Sequence, residues 1–190
     1  MEVLFVDETH QVGQRAGMGR VLALGGVLLG EETLWGLGHQ IDVICRRFGI
    51  PDGCQLKWSP PPDNWIHHNL TGQRRTDCYG QVLDAVSQSG GRGIVVAIDT
   101  GRTAPTLQGS HALLRAFQWV YERTVMQLEQ EGHRGLIIAD RPSGNRRQET
   151  ELLGEVLETI EEGTAYVLPN TIPDQRAHHP GSSRPAPTGR

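Results

Sequence analysis

Cysteine is scarce in this chain, and the scarcity is a first constraint. Cys45, Cys54 and Cys78 are the three cysteines among 190 residues, and none forms a Cys-x-x-Cys pair. An odd number without paired spacing argues against a disulfide framework or a structural zinc site, so a reducing, cytoplasmic setting is expected. Long apolar runs are missing as well. None approaches the roughly 20 residues of a membrane span, so no membrane partner is expected. Strand-like Val3–Val6 begins almost at Met1 with no basic segment before it, so no signal peptide is expected. There is no Walker loop, no Gly-x-Gly-x-x-Gly after a strand and no Gly-x-Ser-x-Gly elbow, which sets aside P-loop, dinucleotide-binding and nucleophile-elbow hydrolase chemistry. An overall basic excess is absent too: 18 basic residues face 22 acidic ones, a net charge of -4. Many nucleic-acid binders carry a basic face, but a metal-dependent nuclease also needs clustered acids.

What is present reads as one α/β domain. Val3–Val6 and Val21–Leu29 are apolar, β-prone runs joined by a polar, Gly-rich stretch, the pattern of a β-hairpin. Gly25-Gly26 inside the second run suggests a bulge or a close backbone approach. Leu34, Leu37, Ile41, Ile44 and Phe48 recur at helical spacing until Gly49 and Pro51 stop them. Residues 51–72, rich in Pro, Trp and His, read as a long ordered connection or a lid. Tyr79, Val82, Leu83 and Val86 mark a second helix. Ile94–Ile98 reads as a strand covered on both faces. Ser110 heads a long helix with Leu113, Phe117, Val120, Tyr121, Thr124 and Leu128 on its inner face. Leu136–Ala139 reads as another buried strand, Leu152–Ile160 as a helix and Ala165–Leu168 as a last strand. Strands alternating with helices after a hairpin predict a mixed sheet flanked by helices. The domain is expected to span residues 1–172. Residues 173–190, made of Pro, Gly, Ser, His and Arg with almost no aliphatics, are expected to be a disordered tail.

Three acids close apolar runs: Asp7, Asp99 and Asp140. Ligands of open α/β sheets collect at the carboxyl ends of strands. Carboxylates gathered there repel one another unless a cation bridges them, and hard oxygen ligands suit Mg²⁺ or Mn²⁺. Asp is also a common turn or cap residue, and Asp99, followed by Thr-Gly-Arg-Thr, fits that simpler role. Asp7 and Asp140 are the expected metal ligands. Glu8 is next to Asp7, and adjacent residues of an extended strand point to opposite faces. Glu8 serves the same site only if the strand ends there.

Phe5-Val6-Asp7-Glu8-Thr9, then Leu24-Gly25-Gly26-Val27, resemble the opening of the DUF3800 family. Gln55-Leu56-Lys57-Trp58-Ser59 is similar to that family's Glu-x-Lys block. Ile137-Ile138-Ala139-Asp140, with Glu149 and Glu151 following, is similar to its later strand-Asp block. The resemblance covers roughly residues 3 to 170. It implies a ribonuclease H-like fold and a Mg²⁺- or Mn²⁺-dependent nuclease, or related phosphoryl-transfer enzyme, acting on nucleic acid. On that reading Asp7, Glu8, Lys57 and Asp140 are the catalytic candidates. Lys57 sits near the scissile phosphate or pairs with Glu8. Three departures stand out: Thr9-His10 replaces Ser-Gly, Gln55 replaces Glu, and the family's terminal Gln-x-Ala-Asp helix is reduced to Asp174-Gln175-Arg176-Ala177. They keep open a degenerate member that binds nucleic acid or protein without turnover. They also keep open a homodimer whose partner completes the site.

Arg141, Arg146 and Arg147 flank Pro142-Ser143-Gly144-Asn145, and such guanidinium groups can hold phosphates bidentately. Trp58 can stack on an unpaired base, though loop tryptophans more often pack on the core. His67-His68 and His178-His179 suggest zinc only at first sight. Neighbouring histidines diverge, and no acid or cysteine stands at ligand spacing.

Overall fold

The structure is a computed structural model that describes residues 1–12, 19–101, 110–139 and 146–168. Its opening hairpin pairs β1 (Glu2–Val12) with β2 (Arg20–Gly30) in antiparallel register from Glu2↔Gly30 to Val12↔Arg20. The first strand is therefore longer than its apolar core. Thr9–Val12, expected as loop, extend β1 because Arg20–Ala23 supply a ladder partner for each of them.

Helix α1 (Glu31–Arg47) follows β2 without a loop. Glu31 and Glu32 lie in its first turn and Arg46 and Arg47 in its last, both favourable against the helix dipole. Gly49 ends it at φ +71°, and Ile50 N–H donates to Cys45 O across the turn. After the 51–64 connection come the short α2 (Trp65–Asn69) and α3 (Gly72–Gln88). Strand β3 (Arg92–Asp99), α4 (Ser110–Glu131), β4 (Gly135–Ala139) and α5 (Arg146–Glu162) complete the order.

Among the described residues, the sheet has four strands in the order β3-β2-β1-β4. β3 is antiparallel to β2, and β4 is parallel to β1. One face carries Leu4, Val6, Leu22, Leu24, Leu28 and Ile98 against Ala112, Ala116, Val120 and Leu128 of α4. The small alanines let that helix approach the strands closely. The other face is covered only in part. Leu29, Leu37, Ile44, Phe48, Ile66 and Cys78 form a second buried cluster under α1, α2 and α3. Beyond it the face is open: Val95 is 72% exposed, Leu136 49%, Ile138 44% and Phe5 40%.

β3 and β4 are thus not covered on both faces as their apolar runs suggest. In β3 the burial alternates, the signature of one packed face. Among the described residues, β4 lies at the sheet edge, hydrogen-bonded to β1 alone. Ala165–Leu168 forms no strand: residues 165–167 are bends, with Val167 buried and Tyr166 and Leu168 exposed. Residues 173–190 lie outside the described residues. No described helix is long and apolar enough to cross a membrane.

Candidate functional site

Asp7 lies in mid-strand, five residues before the end of β1, on the open face. Its cross-strand partner is Gly25, whose own partner on β3 is Val95. A glycine beside the carboxylate leaves bare backbone there. A Cβ added at Gly25 would come no closer than 3.8 Å to Val95 Cγ2, so folding does not demand this glycine on steric grounds. Among the described residues, the Asp7 side chain makes no hydrogen bond or ion pair.

The open face is the floor of a cleft of about 940 Å³. Asp7, Gly25, Gly93, Val95 and Ile138 line it from the sheet. Gln55, Leu56, Lys57 and Trp58 line it from the 51–64 connection. Residues some 50 positions apart in sequence thus meet at one cavity. Lys57 is the only lysine in a chain with 18 basic residues. Its ammonium group is exposed and, among the described residues, unpaired. That singular use of lysine is a sequence signal that the spacing of motifs did not convey.

The 51–64 connection is an ordered wall rather than a loose lid. Its prolines cannot donate to a ladder, so side chains satisfy its carbonyls instead. Asn64 Nδ2 donates to Gln55 O at 3.2 Å, Tyr79 Oη to Lys57 O and Arg75 Nη2 to Trp58 O. His67 Nδ1 lies 3.1 Å from Pro60 O, and His68 Nε2 lies 2.6 Å from Pro62 O. The His67-His68 pair is therefore engaged in holding the loop. Burial pushes the Tyr79 phenol above its ordinary pKa, with the Arg75 cation acting the other way. The phenol therefore stays protonated and able to donate.

Glu8 does not join Asp7. Because β1 continues past it, alternation turns its side chain to the face carrying Leu4 and Val6, away from the cleft. Pairing between Glu8 and Lys57 is thereby set aside. Asp99 Oδ1 accepts from Gly101 N at 3.0 Å, the turn role expected of it. Asp140 and Arg141 lie outside the described residues, as do the side chains of Arg146 and Arg147. The last register pair of β1 and β4 is Val6↔Ala139, whose next residues in the chain are Asp7 and Asp140.

The three cysteines are free thiols. Burial raises the pKa of Cys45 and Cys78, which disfavours the thiolate that a nucleophile or metal ligand requires. One group of potential ligands gathers elsewhere: Glu2, Glu131 and His133. It lies at the start of β1, roughly 16 Å from Asp7 at the rise of a strand. Arg92 already bridges it, with Nη2 3.1 Å from Glu2 Oε2 and Nη1 donating to Glu131 Oε1. The acids there are matched by a fixed cation, and the group ties β1, β3 and α4 together. Among the described residues, Asp7 belongs to no group of three or more acids, histidines or cysteines.

No protein-family model, curated protein or solved structure matches the chain.

Proposed function

We propose that the chain is a Mg²⁺- or Mn²⁺-dependent nuclease, or a related phosphoryl-transfer enzyme, of the ribonuclease H-like DUF3800 type. The observation that carries this reading is the convergence of Asp7, Gln55 and Lys57 on one open cleft. Asp7 and Lys57 match the family's blocks, Gln55 stands where the family carries Glu, and the two segments that bring them are some 50 positions apart. A mixed sheet that opens with a hairpin and adds β4 parallel to β1 supports the fold part of the reading.

The donor set suits a hard divalent cation. An exposed carboxylate at Asp7, unpartnered among the described residues, and the amide oxygen of Gln55 are oxygen ligands, and Asp140 follows the strand paired beside Asp7. Bound there, such an ion supplies an activated water and charge neutralisation for phosphodiester cleavage. The protein's own part is positional. Lys57 offers a point charge to a phosphate oxygen, and its backbone is fixed by Tyr79.

A second reading is favoured by one residue. Gln55 lines the cleft at the position where the family carries Glu, so the site holds one negative charge fewer. A degenerate member would bind nucleic acid without cutting it. Incubation of the full chain with single-stranded, duplex and hybrid substrates in Mn²⁺ separates the two. Cleavage abolished by Asp7→Asn is the result expected of the enzyme, and binding with no cleavage in any metal is that of the degenerate form.

A further inference from the structure

The cleft wall is built to hold an aromatic face outward. Trp58 is 70% exposed, although its backbone is anchored on both sides of its Cα. Tyr79 Oη donates to Lys57 O, and Arg75 Nη2 donates to Trp58 O. The Trp58 and Tyr79 rings sit 5.0 Å apart at 59°, and the Arg75 guanidinium lies 5.8 Å from the Tyr79 ring centre. A tryptophan kept for packing alone would bury its ring. This one is largely exposed, with its main chain anchored, and the residue lines the cavity.

Apart from Asp7, the floor opposite is apolar. Gly93 and Gly25 expose bare backbone, flanked by Phe5, Val95 and Ile138. A Cβ added at Gly93 meets nothing within 4 Å, so the glycine leaves open space that folding does not require. The cation at the rim is Lys57, unpaired among the described residues. A floor that is apolar beyond Asp7, an outward aromatic wall and a cation together match a base with its phosphate. The bases of a duplex are already stacked and paired, and a cleft of about 940 Å³ is the size of a small-molecule site.

Resting on the nuclease reading above, we propose that the cleft takes single-stranded nucleic acid. One unpaired base lies between the Trp58 ring and the Gly25–Gly93 floor, and the adjoining phosphate faces Lys57. Tyr79 and Arg75 are positioning residues that hold this wall.

The test separates binding from chemistry by using the full chain in EDTA. The probes are labelled oligo(dT) and oligo(U) of about 12 nucleotides, within the site sizes of single-strand binders, and a duplex of equal length. Single strands are expected to bind at least about 10-fold tighter than the duplex. Trp58→Ala is expected to weaken single-strand binding by about 10-fold, the loss of one stacked base, and Trp58→Phe to retain most of it. Gly93→Leu, which fills the floor, is expected to weaken it comparably with an unchanged melting temperature. Single strands are also expected to shield Lys57, the sole lysine, from acylation by an amine-reactive ester. Equal affinity for duplex, wild-type binding by Trp58→Ala and Gly93→Leu, or unshielded Lys57 overturns the proposal. So does failure to bind any oligonucleotide while an apolar peptide binds. Manganese-dependent cleavage is scored in parallel. Cleavage of duplex that ignores Trp58 defeats this inference but spares the nuclease reading, and Trp58-dependent binding without cleavage does the reverse.

Discussion

Asp7 stands directly across the β1–β2 ladder from Gly25, so on the β2 side its carboxylate has no cross-strand side chain beside it. Glycine inside a strand costs about 0.5–1 kcal/mol relative to alanine, and nothing steric requires it here. Gly25→Ala is therefore expected to raise stability by about 0.5 kcal/mol while lowering activity, because a methyl group then crowds the carboxylate. Denaturant melts and cleavage rates on the same preparation check the pair of effects. A variant that gains stability with full activity would remove Gly25 from the site.

The Tyr79–Lys57 contact sets a second expectation. Tyr79→Phe keeps the ring and loses the hydrogen bond to Lys57 O, at a cost of about 1 kcal/mol. The phenol's folded pKa is raised by burial, against about 10 when unfolded. Its contribution to stability is full below the unfolded value and is lost as pH rises through the higher folded one. Wild type is thus expected to lose stability in that alkaline window, and Tyr79→Phe to lose less there. Parallel pH-dependent melts of the two proteins decide it.

At the far end of the sheet the sign reverses. The hydrogen bond from Arg92 holds the Glu131 carboxyl below its ordinary pKa. Its contribution is present above the unfolded value of about 4.3 and is lost as pH falls through the folded one. Arg92→Met removes the cation shared by Glu2 and Glu131 and is expected to lower stability slightly, as for partly exposed ion pairs. Acid melts of the variant should show a weaker dependence on pH than wild type. Divalent cations should leave the melting of Asp7→Asn unchanged, because the Glu2–Glu131–His133 group is already matched by Arg92.

Gln55 yields the gain-of-function case. Gln55→Glu adds a carboxylate to the cleft and is expected to tighten Mn²⁺ binding by about 10-fold, since affinity follows the charge count of the ligands. Calorimetric titration of both proteins measures this. An unchanged affinity would place the ion, if bound at all, away from Gln55.

Much of this architecture was legible in the residues. The helical spacing of Leu34, Leu37, Ile41, Ile44 and Phe48 gave α1, and the runs at 94–98 and 136–139 gave β3 and β4. Their burial was not legible, because an apolar run reports hydrophobicity and not which faces find a partner. Val95 and Ile138 belong to such runs and remain open. The length of β1 was hidden by the polar Thr9, His10 and Gln11, whose place in the sheet is set by pairing with β2. That extension in turn parts Glu8 from Asp7. The cleft was legible as separate motifs, but its wall was not. Tyr79 and Arg75 sit on α3, and only the folded chain brings them to Lys57 and Trp58.

Metal binding at Asp7 is the claim on which the rest depends, and isothermal titration of the full chain with Mn²⁺ tests it most directly. Wild type is expected to bind one ion, with binding lost in Asp7→Asn and in Asp140→Asn and retained in Glu8→Gln. Undiminished binding in Asp7→Asn, or no binding by wild type and Gln55→Glu alike, would contradict it.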